Sequence, residues 1–263
     1  MNRKVILITC FLISSCTSVE PVTILFEARL NGLSTDCAAV NHSIQLTDLR
    51  FYVHDINLVS EHGAIMPLAI LTDGRWQNSE VALIDLENGQ GACVNGSKQM
   101  NAAVQGTYSG GQITGLQFKI GVPEELNHKD PLEALTPLGY SAMHWHWASG
   151  YKFLRAGVKT ANDGFFIHLG SSRCEGTIGN IKSCRSSNRP SVHLRDFKPA
   201  RDVVAIDLAF LVSDVNLEDG ILSDCQSSPA DQECERPFAS LGLNFITGTS
   251  IGTAASFSAR PQK

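Results

Sequence analysis

The chain has 263 residues, a hydrophobic fraction of 43% and a formal net charge of −5. These values fit a globular protein with a sizeable core, and an all-β chain of this length can still form one domain. The charge argues against nucleic-acid binding, which requires a clustered basic face. The arginines and lysines between positions 155 and 201 are better explained as a solvated surface or a docking patch for an acidic partner.

Residues 1–15 are predicted to be a signal peptide of the lipoprotein type. Arg3 and Lys4 precede an apolar segment, 5–13, that is too short to span a membrane. The following Ile13-Ser14-Ser15-Cys16 resembles a lipobox, so cleavage before Cys16 and lipidation of its thiol are expected. The alternative is an ordinary signal peptide cut nearby. We therefore predict a membrane-anchored lipoprotein that faces the periplasm, with the outer membrane as the favoured location.

Six cysteines remain once Cys10 and Cys16 leave with the signal or carry lipid. An even number in an exported protein is typical of disulfides, although sequence alone does not fix how they pair. The simplest arrangement pairs close neighbours and leaves the other two for each other: Cys174 with Cys184, Cys225 with Cys234, and Cys37 with Cys93. A zinc or copper thiolate site is the weaker alternative, because no C-x-x-C spacing occurs.

The remaining chain, 17–263, is predicted to be a single domain made mainly of strands. Alternating or β-branched apolar residues predict strands at 22–30, 49–59, 65–68, 81–86, 113–122, 143–155 and 165–169. One short helix is expected at 130–135, because Asp130 suits the N-cap and Pro131 the first helical position. Residues 171–190 look like a polar loop closed by cysteines, and 203–212 is an apolar run around Asp207. These patterns predict an all-β fold, an antiparallel β-sandwich with long disulfide-closed loops.

Motifs of common enzymes are missing from the sequence. There is no G-x-S-x-G nucleophile elbow, no H-E-x-x-H zinc helix and no P-loop. Glu124 and Glu125 form a carboxylate pair, but their position at a turn suggests that they cap the following helix. A hydrolase or a kinase is therefore disfavoured.

The most unusual stretch is 143–155, where two of the three tryptophans and two of the eight histidines occupy four consecutive positions. In a regular strand, successive side chains point to opposite faces. Trp145 and Trp147 would then share a face with Met143, while His144 and His146 would point the other way. The stretch could be ordinary core, or one wall of a metal or redox site.

Five histidines lie on or beside predicted strands: His54, His128, His144, His146 and His168. A single histidine on a strand is usually structural, but five near the middle of one sandwich favour a metal. Imidazole suits copper and zinc, and Met143 nearby favours copper(I), which accepts thioether sulfur. The other three, His42, His62 and His193, look like loop or surface residues.

Several segments together resemble the MbnP-like copper-binding family, the four-cysteine members of the metallo-mystery pair. In chain order they are Leu49-Arg50-Phe51-Tyr52-Val53, Trp76-Gln77 with 81–86, Gly121-Val122-Pro123 with Asn127-His128, 143–155, and His168-Leu169-Gly170-Ser171 ahead of Cys174. They span most of the chain after the signal peptide and appear in the right order.

This resemblance implies an exported protein of copper homeostasis that binds one copper ion and is not itself an enzyme. Family members are encoded beside a diheme cytochrome related to MauG and to bacterial cytochrome c peroxidases. That partner oxidises the first tryptophan of the W-x-W motif, here Trp145, to kynurenine, and copper binding depends on the change. The indole nitrogen only donates hydrogen bonds, whereas ring opening frees an aryl amine that can approach a metal.

The motif positions suggest which residues bind copper. His128 and His168 match best, His54 is the third candidate, and kynurenine at Trp145 would complete the set. The histidines next to the tryptophans depart from the commonest family pattern, so they are ranked as accessory together with Met143 and Trp147: His144 and His146. The sequence leaves open whether calcium also binds.

Two other functions remain open at this point. A copper-dependent oxidoreductase could use the same histidines, but it would need an open coordination position and a substrate pocket. An extracellular binding module held by disulfides, for adhesion or carbohydrate, would bind no metal.

Overall fold

A computed structural model describes residues 18–39, 44–177, 179–213 and 223–262. The predicted signal peptide, Cys16 and His42 lie outside these residues. Within them, no helix is both long enough and apolar enough to cross a membrane.

Strands are the main regular secondary structure of the described chain. They are β1 (Glu20–Leu30), β2 (Leu33–Ser34), β3 (Gln45–Ser60), β4 (Ile65–Pro67), β5 (Ala69–Ile70), β6 (Val81–Asp85), β7 (Ala103–Tyr108), β8 (Ile113–Ile120), β9 (His144–His146), β10 (Gly150–Tyr151), β11 (Leu154–Lys159), β12 (Gly164–Leu169), β13 (Ser172–Thr177), β14 (Asn180–Ser186), β15 (Ser191–Leu194), β16 (Asp202–Asp207), β17 (Ser223–Cys225) and β18 (Phe257–Pro261). The helices are short: α1 (Glu124–Asn127), α2 (Leu208–Val212) and α3 (Glu235–Ser240), with 3₁₀ turns at Ser141–Met143 and Gln232–Cys234.

The strands form two large sheets and two small hairpins. One sheet has the order β18-β16-β1-β7-β5 with β2 added to β1, and the other has the order β15-β8-β3-β11-β12-β17 with β4 and β6 added to β3. β9/β10 and β13/β14 are the hairpins. Most neighbours are antiparallel, but β1 with β16 and β12 with β17 are parallel pairs. The predicted all-β fold is confirmed.

Aromatic side chains join the two large sheets. Phe26 of β1 contacts Phe51 of β3 and Phe118 of β8 edge-to-face, with ring centroids 5.7 and 5.9 Å apart. Phe257 of β18 contacts the same two rings at 5.8 Å. Buried residues alternate with more exposed ones along β1, as expected for a strand with one face on the core. The core therefore lies between the sheets.

The opposite face of β3 is covered by the segment between β8 and β11. Because side chains alternate, Tyr52 and His54 point away from Phe51. The Tyr52 hydroxyl donates to the carbonyl of Pro137, and its ring meets Tyr151. The Tyr52 amide donates to Phe153 while its carbonyl accepts from Gly121. Both hydrogen bonds lie on one edge of β3, so β11 and β8 pair with successive parts of that edge. The segment that connects β8 to β11 crosses the point where these two strands meet.

Three local predictions were wrong. The strand expected at 143–155 is broken into β9, a turn, β10 and β11. Gly150 has φ +75°, and a Cβ there would lie 2.0 Å from the carbonyl oxygen of Asn127, so the chain turns where only glycine fits. The helix expected at 130–135 is absent, and α1 begins instead at Glu124, after Pro123.

The third wrong prediction concerns a polar stretch, and one apolar run had no predicted element. The predicted loop at 171–190 contains the hairpin β13/β14, built largely from exposed polar residues around Cys174 and Cys184. The apolar run at 203–212 changes from β16 to α2 at Asp207. That carboxylate accepts from the amide of Ala209 as an N-cap and also from Asn31 and Gly32.

Three disulfides staple the fold, in the pairs that the sequence spacing favours. They join Cys37 to Cys93, Cys174 to Cys184, and Cys225 to Cys234. The first and third are fully buried, whereas the second is half-buried on the β13/β14 hairpin. The three bonds therefore differ in their access to solvent.

Candidate metal centre

Trp145 lies in the middle of β9, with its indole against the end of β12. The ring centroids of Trp145 and His168 are 6.1 Å apart at 78°, an edge-to-face contact. A Cβ added to Gly170 would lie 3.0 Å from Cε3 of Trp145 and 2.7 Å from the carbonyl oxygen of Tyr151. Gly170 is thus the floor beneath the six-membered ring of the indole. This ring is the part that persists as the aryl group of kynurenine.

The floor is held by hydrogen bonds from two other segments. The Gly170 amide donates to Oγ of Ser227 at 3.0 Å, and the same hydroxyl donates to the carbonyl of His168 at 2.9 Å. The Gly170 carbonyl accepts from Nδ2 of Asn188 at 2.8 Å. Ser227 follows Cys225, whose strand pairs with β12. The buried Cys225–Cys234 disulfide therefore supports the backbone beside Trp145.

His168 lies next to positive charge. On the sheet it stands opposite Arg155, whose guanidinium binds Oδ2 of Asp48 at 2.8 Å. Burial, followed by the charges of Arg155 and Lys152, lowers the pKa of His168 to about 4. The imidazole is therefore neutral at ordinary pH, which is the form that binds metals.

His128 is positioned by the end of α1 and by its neighbour Asn127. The Asn127 side chain is fully buried; its Nδ2 donates to the carbonyl of Ser149 and its Oδ1 accepts from the amide of Tyr151, both at 3.1 Å. These two bonds fix the orientation of the amide. Nδ2 also lies 3.1 Å from Nε2 of His128. Since Nδ2 can only donate, Nε2 carries the lone pair.

Nε2 of His128 also lies beside a disulfide rather than another histidine. It is 3.3 Å from Sγ of Cys184. Burial lowers the pKa of His128, while the Glu124 carboxylate acts in the opposite direction. The geometry and the lowered pKa both favour a neutral ring whose Nε2 accepts the hydrogen bond from Asn127.

His54 is the most enclosed of the three candidate ligands. It is 7% exposed on β3, and its Nε2 is buried without a hydrogen-bond partner. Burial and the nearby charges of Arg189 and Lys119 lower its pKa to about 4. A buried imidazole nitrogen without a partner is chemically suited to a metal, because such a group otherwise loses its hydrogen bonds to water.

The accessory residues are divided between core and surface. Met143 is 1% exposed, whereas Trp147 is 45% exposed in the turn after β9. His144 is half-buried with its ring 5.5 Å from that of Tyr151. His146 is exposed, and its ring nitrogens bond the Ala148 amide and the Ser149 hydroxyl within the same turn. Trp147 therefore lies in the turn and not on the strand that contains Trp145. The hydrogen bonds of His146 are made within this turn.

The three predicted histidine ligands are not gathered into one cluster. Among described residues, groups of three possible ligand atoms within 4.8 Å of one another occur only around the disulfides: His128 with Cys174 and Cys184, Glu87 with Cys37 and Cys93, and Asp231 with Cys225 and Cys234. His168 contacts Trp145, and His128 contacts Cys184. The predicted set of His54, His128, His168 and Trp145 stays a prediction.

The chemistry of these residues nevertheless fits a copper ion. Three imidazoles are held neutral by burial and nearby cations, and Nε2 of His54 has no hydrogen-bond partner. Neutral imidazole is a preferred ligand of copper. Within the described chain the candidates lie on or beside the face of β3 and β12 that the 123–153 segment covers.

Several supporting residues were missed at the sequence level, although they belong to the motif segments. Asn127 orients His128, and the backbone of Gly170 packs against the ring of Trp145. Arg155, together with burial, lowers the pKa of His168. The proximity of Cys184 to His128 was also missed. Its only signal was the position of Cys174 shortly after the His168-Leu169-Gly170-Ser171 segment.

The fold and the site define a class of protein, an extracytoplasmic β-sandwich with disulfide bonds. Neutral imidazoles and a tryptophan lie at one covered face of its sheet. The profile of the MbnP family matches residues 19–227, and the chain belongs to this family. Membership makes it a copper-associated protein, and the family and disulfides together place it in the periplasm or outside the cell.

Among solved structures, MbnP from Methylosinus trichosporium is similar to this chain, with a TM-score of 0.79. The likeness covers 94% of this chain and 100% of that one at 24% sequence identity, which shows the shared fold. Curated proteins give no match.

Proposed function

We propose that this protein is an exported copper-binding protein of copper homeostasis whose copper site needs oxidation of Trp145 to kynurenine. It binds one copper ion and is the substrate of an oxidase, a MauG-like diheme protein, rather than an enzyme. The observation that carries the proposal is the contact between the rings of Trp145 and His168, 6.1 Å apart above Gly170. It brings the residue to be modified beside a neutral imidazole.

The chemistry of the indole explains why modification is needed. Cleavage of its C2–C3 bond is a four-electron oxidation that adds one oxygen to each carbon, with peroxide reduced to water at the diheme partner as the oxidant. Hydrolysis then releases C2 as formate and leaves an aryl amine. The intact indole N–H is a donor only, whereas the amine has a lone pair. The backbone contacts of Gly170 hold the aryl ring in place throughout.

The remaining residues of the proposed site have separate roles. His168 supplies an imidazole next to the modified ring, and burial together with the charge of Arg155 keeps it neutral. His54 and His128 supply the other nitrogens. Since these nitrogens are not within 4.8 Å of one another, copper binding must draw the side chains together over the covered face of β3. Trp147, 45% exposed, is placed where a partner could contact it.

The test is to produce the protein with and without its diheme partner and to compare peptide masses and copper content. With the partner, the peptide that contains Trp145 should show the mass change of tryptophan to kynurenine, and the protein should retain one equivalent of copper. Trp145→Phe should remove both, whereas the matched exchange Trp147→Phe tests the neighbouring ring. Copper-loaded native protein with an unmodified Trp145 would contradict the proposal.

A further inference from the structure

We propose that the Cys174–Cys184 disulfide is the oxidised form of a second, redox-controlled metal site, in which His128 and the two cysteine thiolates bind copper(I). The site needs neither Trp145 nor its oxidation, but it uses His128, which the function proposed above also assigns to copper, so the two sites compete for this imidazole. It rests on the geometry of the β13/β14 hairpin and of the end of α1.

The first argument is proximity. The ligand atoms of His128, Cys174 and Cys184 all lie within 4.8 Å of one another, with Nε2 of His128 3.3 Å from Sγ of Cys184. Two thiolates and one imidazole form a soft donor set, and such sulfur-rich sets select copper(I). While the disulfide is closed, neither sulfur carries the charge that makes a thiolate a strong ligand.

The second argument is the orientation of the imidazole. The amide of Asn127 is locked by Ser149 and Tyr151, and it donates to Nε2 of His128. Nε2, which lies 3.3 Å from Cys184, is therefore the unprotonated nitrogen, and copper(I) reaches its lone pair by displacing the Asn127 donor. A neutral histidine could present its N–H there instead, and then it could not bind a metal between itself and the sulfur.

The third argument is access, which differs among the three disulfides. Cys37, Cys93, Cys225 and Cys234 are each at most 1% exposed. Cys174 and Cys184 are half-buried on a hairpin whose other side chains are largely exposed. Exchange with a thiol requires that the attacking thiolate reach a sulfur, so exposed disulfides are the labile ones. A dithiol reductant should open this bond selectively in the folded protein.

The reaction balances with a dithiol reductant as the named partner. Its two thiols give two electrons and two protons to the Cys174–Cys184 bond, which becomes two thiols while the reductant becomes a disulfide. Binding of copper(I) then displaces the two thiol protons, so the site carries a net charge of minus one. The same hairpin carries Arg173 and Lys182, whereas Arg185 is already paired with Glu175. Exchange with an oxidised dithiol, which takes up two electrons and two protons and becomes the reduced dithiol, would re-form the Cys174–Cys184 bond and release the ion.

The other two sulfur clusters lack this combination. Cys37 and Cys93 lie beside Glu87, whose carboxylate already binds the amides of Gly89 and Ser97. Cys225 and Cys234 lie beside Asp231, which accepts from the amide of Gln226. Both clusters offer a carboxylate in place of an imidazole, and their disulfides are buried. These two disulfides therefore stabilise the fold and are not proposed as metal sites.

The experiment begins with the full-length exported protein treated anaerobically with a mild dithiol, followed by alkylation and mass spectrometry. Cys174 and Cys184 should be labelled while the four buried cysteines are not. In protein made without the diheme partner, where the site around Trp145 is not formed, copper(I) delivered from a chromophoric chelator should then bind with one equivalent that the oxidised protein does not bind. X-ray absorption should show sulfur scatterers around that copper. Labelling of the buried pairs first, or added copper without sulfur neighbours, would overturn the proposal.

Variants separate this site from the one around Trp145. His128→Gln should weaken the thiol-dependent copper(I) affinity by more than about tenfold, since even supporting residues of a metal site commonly cost that much. The matched exchange His62→Gln, at a side chain that is 86% exposed, should leave it unchanged. Cys174→Ser with Cys184→Ser should abolish it.

The same site should survive Trp145→Phe, which removes the site of the proposed function. If Trp145→Phe alone removes the thiol-dependent copper, the second site does not exist as proposed. If it persists while kynurenine is never found in native protein, only the function proposed above fails.

Discussion

The regions around His168 and around His128 offer the same ligand in two different settings. His168 lies on a strand of the large sheet, and its neighbour Gly170 is tied to Ser227 beside a buried disulfide. His128 lies at the end of a four-residue helix and faces a half-buried disulfide on a hairpin. The first setting is suited to holding a modified side chain in a fixed geometry. The second is suited to responding to the redox state outside the protein.

The two local disulfides give the largest expected difference, because they close loops of nearly equal length, with sequence separations of 10 and 9. Loss of either cross-link should cost about 2.5–3 kcal/mol through the entropy of the unfolded chain. Cys225→Ser with Cys234→Ser should cost roughly 1–3 kcal/mol more, because it buries two hydroxyl groups beside β12. Urea unfolding of both double variants measures the difference. Equal losses would mean that the two regions do not differ in rigidity.

Structural features that depend on neighbouring residues could be predicted from the sequence, whereas those that depend on contacts between distant positions could not. The strands around Phe26, Phe51 and Phe118 follow from alternation, which is a local property. The break at Gly150 does not, because it results from the close approach of Asn127, more than twenty positions earlier. Likewise, His128 was identified from its motif, but its contact with Cys184 depends on where a polar hairpin folds back. Hydrophobic patterning carries no information about such a hairpin.

The contact between Gly170 and the ring of Trp145 can be tested by adding a methyl group at position 170. Gly170→Ala places a Cβ 2.7 Å from a backbone oxygen and 3.0 Å from the indole, so the free energy of unfolding should fall by about 1–3 kcal/mol. The intrinsic fluorescence of Trp145 should shift as its ring is displaced. Gly252→Ala is the control, because its Cβ would meet nothing within 4 Å. If both variants are equally stable, Gly170 does not support the ring.

The pH dependence of stability should distinguish the two histidines in the metal-free protein. The pKa of His168 is lowered to about 4, from an ordinary value of 6.5. Between these values the unfolded chain binds a proton that the folded chain does not, so stability decreases as the pH falls from about 6.5 toward 4. The slope is at most about 1.4 kcal/mol per pH unit for this group. Above pH 6.5 its contribution is constant.

Denaturant titrations across this pH range provide the measurement. His168→Gln should flatten the slope more than His128→Gln does, because the pKa of His128 is lowered by burial but partly restored by Glu124. His62→Gln, at a side chain that is 86% exposed, controls for the exchange itself. An unchanged slope in His168→Gln would show that the strand does not hold this imidazole away from water.

The smallest expected effect concerns the second tryptophan. Trp147 is 45% exposed in the turn, so Trp147→Phe should change the free energy of unfolding by no more than about 0.5 kcal/mol. Trp145→Phe should cost more, because the indole fills the space above Gly170 and contacts His168. Thermal unfolding of the two variants gives the comparison directly. A loss at Trp147 as large as that at Trp145 would mean that the turn after β9 is packed as tightly as the strand itself. Trp147 would then contribute to the stability of the region around His168.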